Sequence, residues 1–393
     1  MIKNVRTYGV LLLFFWSTFS YADKPNKVVA SVGVGQNPAG IAVTPDNLFA
    51  YVANNNNQSI PGGYTVSVLN LTNNTLEQTI SDSSFNEPYT VTINPAGTKA
   101  YVTNSNSTTV TIIDLTTNTV TGTIGGFDGP SGLVITPDGT QAYVVNYGGP
   151  GGLGSGNGRT VRVVDLNTNV IVGPALTVGQ APAALAITPD GAYVYVVSYV
   201  NGNPGTGTIS IIRTSDNSVQ LNAITGFSGP FAIAITPNGK YAYVTNFGSN
   251  NFSPVGTTVS VVNISNNTLV ATIHVGIQPS GIAIAPDGSY AYVSNYSTLY
   301  DGPNFTDLTA NEGTVNIIDI QNNKVISPVI KVGLSPNAIA ISPNGQFAYV
   351  SNYTSNAVSV ISLLGLYDIN RLRPIYYLQL DETITKLEQA GLL

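Results

Sequence analysis

Apolar and polar positions alternate with a period of two along most of this chain, in short runs bounded by Pro, Gly, Asp and Asn, which predicts strands and tight turns throughout. One unit recurs seven times. Its best preserved piece is an apolar run, a Pro-Asp-Gly or related turn, and then Ala-Tyr-Val or a close variant. The copies begin at Ile41, Val91, Leu133, Leu185, Ile233, Ile282 and Ile339, and their turn prolines are Pro45, Pro95, Pro137, Pro189, Pro237, Pro286 and Pro343. A third run follows in each copy, as TVSVLNL from Thr65 or TVRVVDL from Thr160, and an Asn-rich turn then leads to a fourth, such as TLVATIHV from Thr268. Small residues interleaved with β-branched ones suit an innermost strand, where repeated units crowd towards an axis. Pro-Asp-Gly presets one φ and tolerates a positive one, as a two-strand turn requires. The pattern predicts an all-β fold: a seven-bladed β-propeller of four-stranded antiparallel blades.

The seventh copy ends after its third run. The missing fourth is found near the start of the chain, where Lys27 to Val32 aligns with Thr268 to Ile273, each eleven residues ahead of a proline, Pro38 and Pro279. The N-terminal strand is therefore expected to complete the last blade and close the ring, leaving no open sheet edge.

AYVTN at Ala100 and Ala242 and AYVSN at Ala291 and Ala348 give the chain a resemblance to the YVTN-repeat family of seven-bladed β-propellers. That family includes surface-layer-associated and periplasmic proteins within the lactonase-like propeller superfamily. The resemblance spans roughly residues 24 to 364. It implies the fold. It implies little about function, because lactonase-like and cofactor-binding propellers share this architecture.

The ends of the chain differ from the repeat. Lys3 and Arg6 precede an apolar run from Gly9 to Phe19, and Ser20-Tyr21-Ala22 offers small residues for cleavage, so residues 1–22 read as a signal peptide. Eleven residues are too few to cross a bilayer, which takes about 20. The domains expected are thus 1–22 signal peptide, 23–364 propeller, and 365–393 a C-terminal strap. The strap is read with a short strand at Ile375 to Leu380 and a helix after Asp381 carrying Ile384, Leu387 and Ala390 on one side.

Composition narrows the function. Only 9% of residues are charged against 43% hydrophobic, which excludes a disordered chain. Cleavage would leave 12 basic against 20 acidic residues, a net charge of −8, so nucleic acid is a poor partner. With no Cys and His274 the one histidine, thiolate and imidazole chemistry are unavailable to a central site. Carboxylates such as Asp138, Asp190 and Asp287 are accounted for by their turns. Asp301, Asn304, Asp307 and Glu312 gather oxygen ligands in one loop, but the spacing fits no calcium motif and Pro303 interrupts it. No catalytic residue, metal or cofactor is assigned.

The repeats differ chiefly in the loop between second and third strands, which grows from 4 residues in blades two and seven to 18 in blade six. These loops share a face with those leading into the innermost strands, so the insertions crowd one mouth of the channel, where binding usually resides. The residue after the strand-ending Asn or Ser is aromatic in five blades: Tyr147, Tyr199, Phe247, Tyr296 and Tyr353. The residue after the leading proline is Ala39, Ser131, Ala183 or Ser280 in four blades, but Tyr89, Phe231 and Asn337 in the other three. These eight are the candidate ligand-binding residues, with packing of the five-membered ring against neighbouring blades as the alternative.

Three readings of function follow. The leading one is an exported, monomeric binding or interaction propeller of the bacterial periplasm or exterior, using its loop-rich face for a protein, peptide or glycan. The second is a lactonase-like hydrolase with carboxylates, with or without a divalent cation, in the channel. The third is a structural component of the envelope. The residues lean away from catalysis.

Overall fold

The computed structural model describes residues 26–56, 63–148, 158–199, 205–248, 255–297 and 313–363. Val28–Ile361 form one compact unit. Met1–Lys27 and Ser362–Leu393 make up a second, of which only Asn26, Lys27, Ser362 and Leu363 are described. The signal-peptide and strap segments therefore lie outside the described residues.

After β1 (Lys27–Gly33), blade one runs β2 (Pro38–Val43), β3 (Phe49–Asn54), β4 (Thr65–Asn70) and β5 (Thr75–Ser81), innermost to outermost. The same antiparallel order repeats from β6 (Pro88–Ile93) to β9 (Thr119–Gly125), and from β10 (Pro130–Ile135) to β13 (Val170–Thr177). It continues from β14 (Pro182–Ile187) to β17 (Ser218–Phe227), from β18 (Pro230–Ile235) to β21 (Thr268–His274), and from β22 (Ile277–Ile284) to β25 (Lys324–Val332). The last sheet holds β26 (Pro336–Ile341), β27 (Phe347–Asn352) and β28 (Ala357–Ser362), and its fourth strand is β1. The chain is a seven-bladed β-propeller closed by its N-terminal strand. Among the described residues there is no helix, and hence none long and apolar enough to cross a membrane.

The Tyr-Val-Thr/Ser-Asn motif recurs because each of its residues answers to a different neighbour. Its Tyr is at most 2% exposed in all seven blades. The hydroxyls of Tyr143, Tyr195 and Tyr243 donate to Asn217, Asn267 and Asn323, at 2.7, 2.7 and 2.6 Å. Each acceptor stands at positive φ in the outer hairpin turn of the next blade, a position Asn tolerates. The Thr or Ser reaches the next blade's innermost strand. Thr103 donates to the Ser131 carbonyl at 2.8 Å, Thr245 to Ser280 at 3.0 Å, and Ser351 to Ala39 at 2.6 Å, the last across the ring closure. The Asn ties second strand to third: Asn54 Nδ2 donates to Thr65 and Ser67 at 2.9 and 3.0 Å, and Asn246 Nδ2 to Thr258 and Ser260 at 2.9 Å each.

Small residues on the inner strands have the cause expected. A Cβ on Gly40 would lie 2.5 Å from the Tyr89 carbonyl oxygen, and one on Gly281 would lie 2.8 Å from that of Asn337. Neighbouring inner strands touch there, and a side chain would push them apart. The inner strands begin earlier than the apolar runs do, at the leading proline in six blades and at Ile277, two residues before it, in blade six. The register shifts between Pro38 and Ile41, Pro88 and Val91, and Pro130 and Leu133. Proline has no N–H for the ladder, so it is placed ahead of the irregularity, at the first position of the strand in six of the seven blades.

Candidate functional site

The residue before each leading proline has a positive φ in every blade: Asn37, Glu87, Gly129, Ala181, Gly229, Gln278 and Ser335 lie between 50° and 57°. This conformation turns the carbonyl towards the residue that follows the second strand. Asn37 O accepts from Asn55 N–H and Glu87 O from Ser105 N–H, both at 3.0 Å. Gly129 O accepts from Tyr147 at 3.0 Å, Ala181 O from Tyr199 at 2.9 Å, Gly229 O from Phe247 at 2.9 Å and Ser335 O from Tyr353 at 2.9 Å. Of the five aromatic positions singled out in the sequence, Tyr147, Tyr199, Phe247 and Tyr353 are thus held by a repeated backbone clasp, and Tyr296 lies within β23 (Tyr290–Ser297). All five belong to a ring of seven, whose other two members are Asn55 and Ser105.

All eight candidate residues converge. Tyr89, Tyr147, Tyr199, Phe231, Phe247, Tyr296, Asn337 and Tyr353 line one cavity of about 280 Å³, together with Asn55, Ala183 and Gln278. Every blade contributes. The wall is aromatic over blades three to seven. Phe231 and Phe247 have centroids 5.2 Å apart with planes tilted by 33°, Phe247 and Tyr296 are 6.0 Å apart at 59°, and Tyr296 and Tyr353 are 6.5 Å apart at 51°. Tyr199 and Phe247 are buried against Ala181, and the Tyr199 hydroxyl donates to the Gly248 carbonyl at 2.7 Å. For these two, packing accounts for most of the side chain. Tyr89, Tyr147, Phe231, Tyr296 and Tyr353 are half-buried and leave ring surface to the cavity.

Burial raises the phenol pKa values around the mouth. Tyr89 is raised furthest, first by loss of hydration and then by the phenols of Tyr147, Tyr353 and Tyr296 around it. Tyr147 is raised by burial. So is Tyr353, with Tyr296 and Glu87 adding to the effect, and Tyr296, where a hydrogen bond with Ser335 partly offsets it. These hydroxyls stay neutral at physiological pH, able both to donate and to accept.

Two lining residues were not singled out in the sequence. Asn55 is 8% exposed and Gln278 2%, and Asn55 Nδ2 and Gln278 Oε1 are buried without a hydrogen-bond partner. A signal existed for both. Asn55 occupies the position that is aromatic in five other blades, and Gln278 sits at the positive-φ position that is Gly in two.

Below the mouth lies an axial channel with a cavity of about 160 Å³, lined mainly by Ala, Gly, Leu, Ser and Thr from the inner strands. Tyr89, Ala183, Phe231 and Asn337 border both spaces and so divide mouth from channel. Among the described residues, no Asp, Glu, Lys or Arg lines either one, and no group of three His, Asp or Glu side chains could hold a metal ion. His274 is exposed on the outermost strand of its blade. The Asp138 and Asp190 carboxyls are held below the ordinary range by hydrogen bonds from Thr136 and Thr188 within their turns, a purely local cause. Asp301, Asn304, Asp307 and Glu312 lie outside the described residues.

Blade count, strand order and closure define the class: this is a seven-bladed β-propeller. Residues 205–363 match the family model "Lactonase, 7-bladed beta-propeller". A solved structure of Kuenenia stuttgartiensis hydrazine synthase superimposes with a TM-score of 0.68 and 21% identity, over 83% of this chain and 95% of that one. At that identity the likeness concerns the fold alone. A 54-residue stretch is 56% identical to the PE-PGRS family protein PE_PGRS18 of Mycobacterium tuberculosis, covering 14% of this chain and only 12% of that protein.

Proposed function

We propose that this chain is an exported ligand-binding propeller of the bacterial periplasm or exterior, and that it uses the aromatic mouth as its binding face. The observation that carries this reading is the convergence of side chains from all seven blades on one cavity, whose described lining is uncharged and presents phenol and phenyl surface. The backbone conformation ahead of the leading proline is common to every blade, but the side chains beside it are not. Folding needs only small groups after the leading proline, as at Ala39 and Ser280, so Tyr89 and Phe231 supply area that the inner strands do not require. A hydrolase using paired carboxylates would need acids converging on the axis, and the described lining has none.

A library of small fragments screened by protein-observed NMR tests the reading. Hits should shift resonances around Tyr296 and Tyr353. Burying one aromatic face against a ligand contributes about 1.5–3 kcal/mol, so Tyr89→Ala and Phe231→Ala should each weaken those hits by roughly 10- to 150-fold. Melting temperatures should stay within a few degrees of wild type. If both variants unfold while binding per folded molecule is unchanged, the rings are core and the reading fails.

A further inference from the structure

Asn55 and Gln278 set a requirement that the aromatic rings do not. Buried amide atoms in folded proteins nearly always have hydrogen-bond partners, because leaving one unpaired forfeits its hydration with no return. Here two such atoms border the same cavity, Asn55 Nδ2 from blade one and Gln278 Oε1 from blade six. Gln278 moreover holds its place at a φ of 50°, where a non-glycine residue is disfavoured. An Nδ2 can only donate, and an Oε1 can only accept. Whatever completes the pair must bring an acceptor to one and a donor to the other.

The rest of the lining narrows the choice. A charged group entering the mouth would lose hydration and meet no counter-charge among the described lining residues. Tyr147, Tyr296 and Tyr353 offer an apolar ring face with a polar tip, which suits a ligand apolar on one face and hydroxylated at its edge. The volume of about 280 Å³ falls just below the roughly 300–1,000 Å³ range of small-molecule pockets, a size that suits one ring.

We infer that the mouth takes one uncharged pyranose ring, free or as the end residue of a neutral glycan, with Asn55 and Gln278 as its specificity-determining partners. Sugar hydroxyls both donate and accept, so they satisfy the two amides at once, while the C–H face of the ring lies against the tyrosines. This inference rests on the reading of the mouth as the binding face.

The test has two arms. The first needs no ligand: Gln278→Met keeps an unbranched side chain of similar length and removes the unpaired acceptor, so its melting temperature should equal or exceed that of wild type. A drop of several degrees would mean that the amide serves the fold, and would overturn the assignment. In the second, ligand-observed NMR compares neutral pyranoses (glucose, galactose, mannose and N-acetylated hexosamines) and their short oligomers with glucuronate and glucose 6-phosphate. At least one neutral sugar should bind and its charged counterpart should bind at least about tenfold more weakly. Gln278→Met, Asn55→Ala and Tyr296→Ala should each weaken binding about tenfold or more. An oligomer that binds no better than its terminal sugar confirms that a single ring is held; one that binds much better overturns the one-ring assignment. If no neutral pyranose binds at millimolar concentration, the sugar assignment falls. It also falls if the amide variants bind like wild type while Tyr296→Ala does not, in which case the mouth remains the binding face. Sugar binding that survives all three variants lies elsewhere and removes both readings.

Discussion

Tyr143 has no exposed surface, yet its hydroxyl is shared with the next blade through Asn217 at 2.7 Å. This single contact shows how a repeated residue holds a ring together: the phenyl ring packs among apolar residues of its own blade and the next, such as Val161 and Val194, and the polar tip latches that next blade. The acceptor is also well chosen, since Asn217 adopts a φ of 56° that few other residues accept without strain. Tyr143→Phe should therefore cost about 0.5–1.5 kcal/mol by denaturant unfolding, the net value of one hydrogen bond, with packing preserved. Asn217→Gly keeps the turn conformation and removes the same acceptor. Combined in a double-mutant cycle, the two should be non-additive by about the same amount. Additivity within roughly 0.3–0.5 kcal/mol would show that the latch carries no energy.

Strands and blades were the most legible level, because repetition turns each departure into a signal. Tyr89 and Phe231 stand out only against Ala39, Ser131, Ala183 and Ser280 at the matching place, and the structure brings both to the border of the mouth. The closing strand was legible for the same reason, as Lys27 to Val32 reads as a copy of Thr268 to Ile273. Asn55 and Gln278 were less so. Asparagine is frequent in the turns of this chain, and whether an amide is buried without a partner depends on neighbours from other blades. The start of the inner strands at the proline was hidden too, since the irregularity after Pro38 or Pro88 breaks the alternation. At the element scale the decisive test is β1. Removing Val28 to Gly33 should leave β28 as an open edge and strip the cover from Val358 and Val360, which pack with Val32 in one apolar cluster. Aggregation or a fall of many degrees in melting temperature is expected by light scattering and calorimetry. A monomeric deletion variant as stable as wild type would show that the blade is complete without β1.

The whole ring responds to alkali in a way that follows from its tyrosines. Burial pushes the phenols of Tyr51, Tyr143, Tyr195 and Tyr349 up to about 12, from an ordinary value of 10.0, and raises that of Tyr101 as well. In Tyr51 the carboxylates of Asp46 and Asp114 add to the burial, and in Tyr195 the phenol of Tyr193 does. A phenol whose folded pKa is raised releases its proton more readily from the unfolded chain. Below pH 10 both states are protonated and the stability these residues provide is fully present. Between pH 10 and about 12 the unfolded chain binds fewer protons, so stability falls with each step and is lost as pH rises through the folded value. Because every blade has one such Tyr wedged against its neighbour, the losses act on one closed structure and should appear as a single transition. Melting temperature should be flat from neutral pH to about 9.5 and then decline steeply. Phenolate absorbance should show the more exposed tyrosines titrating first, and the buried set only together with loss of the β-sheet circular dichroism signal. Tyr143→Phe should soften the decline slightly. Ionisation of the buried set near pH 10 with the sheet signal intact would refute the coupling of these phenols to the closed ring.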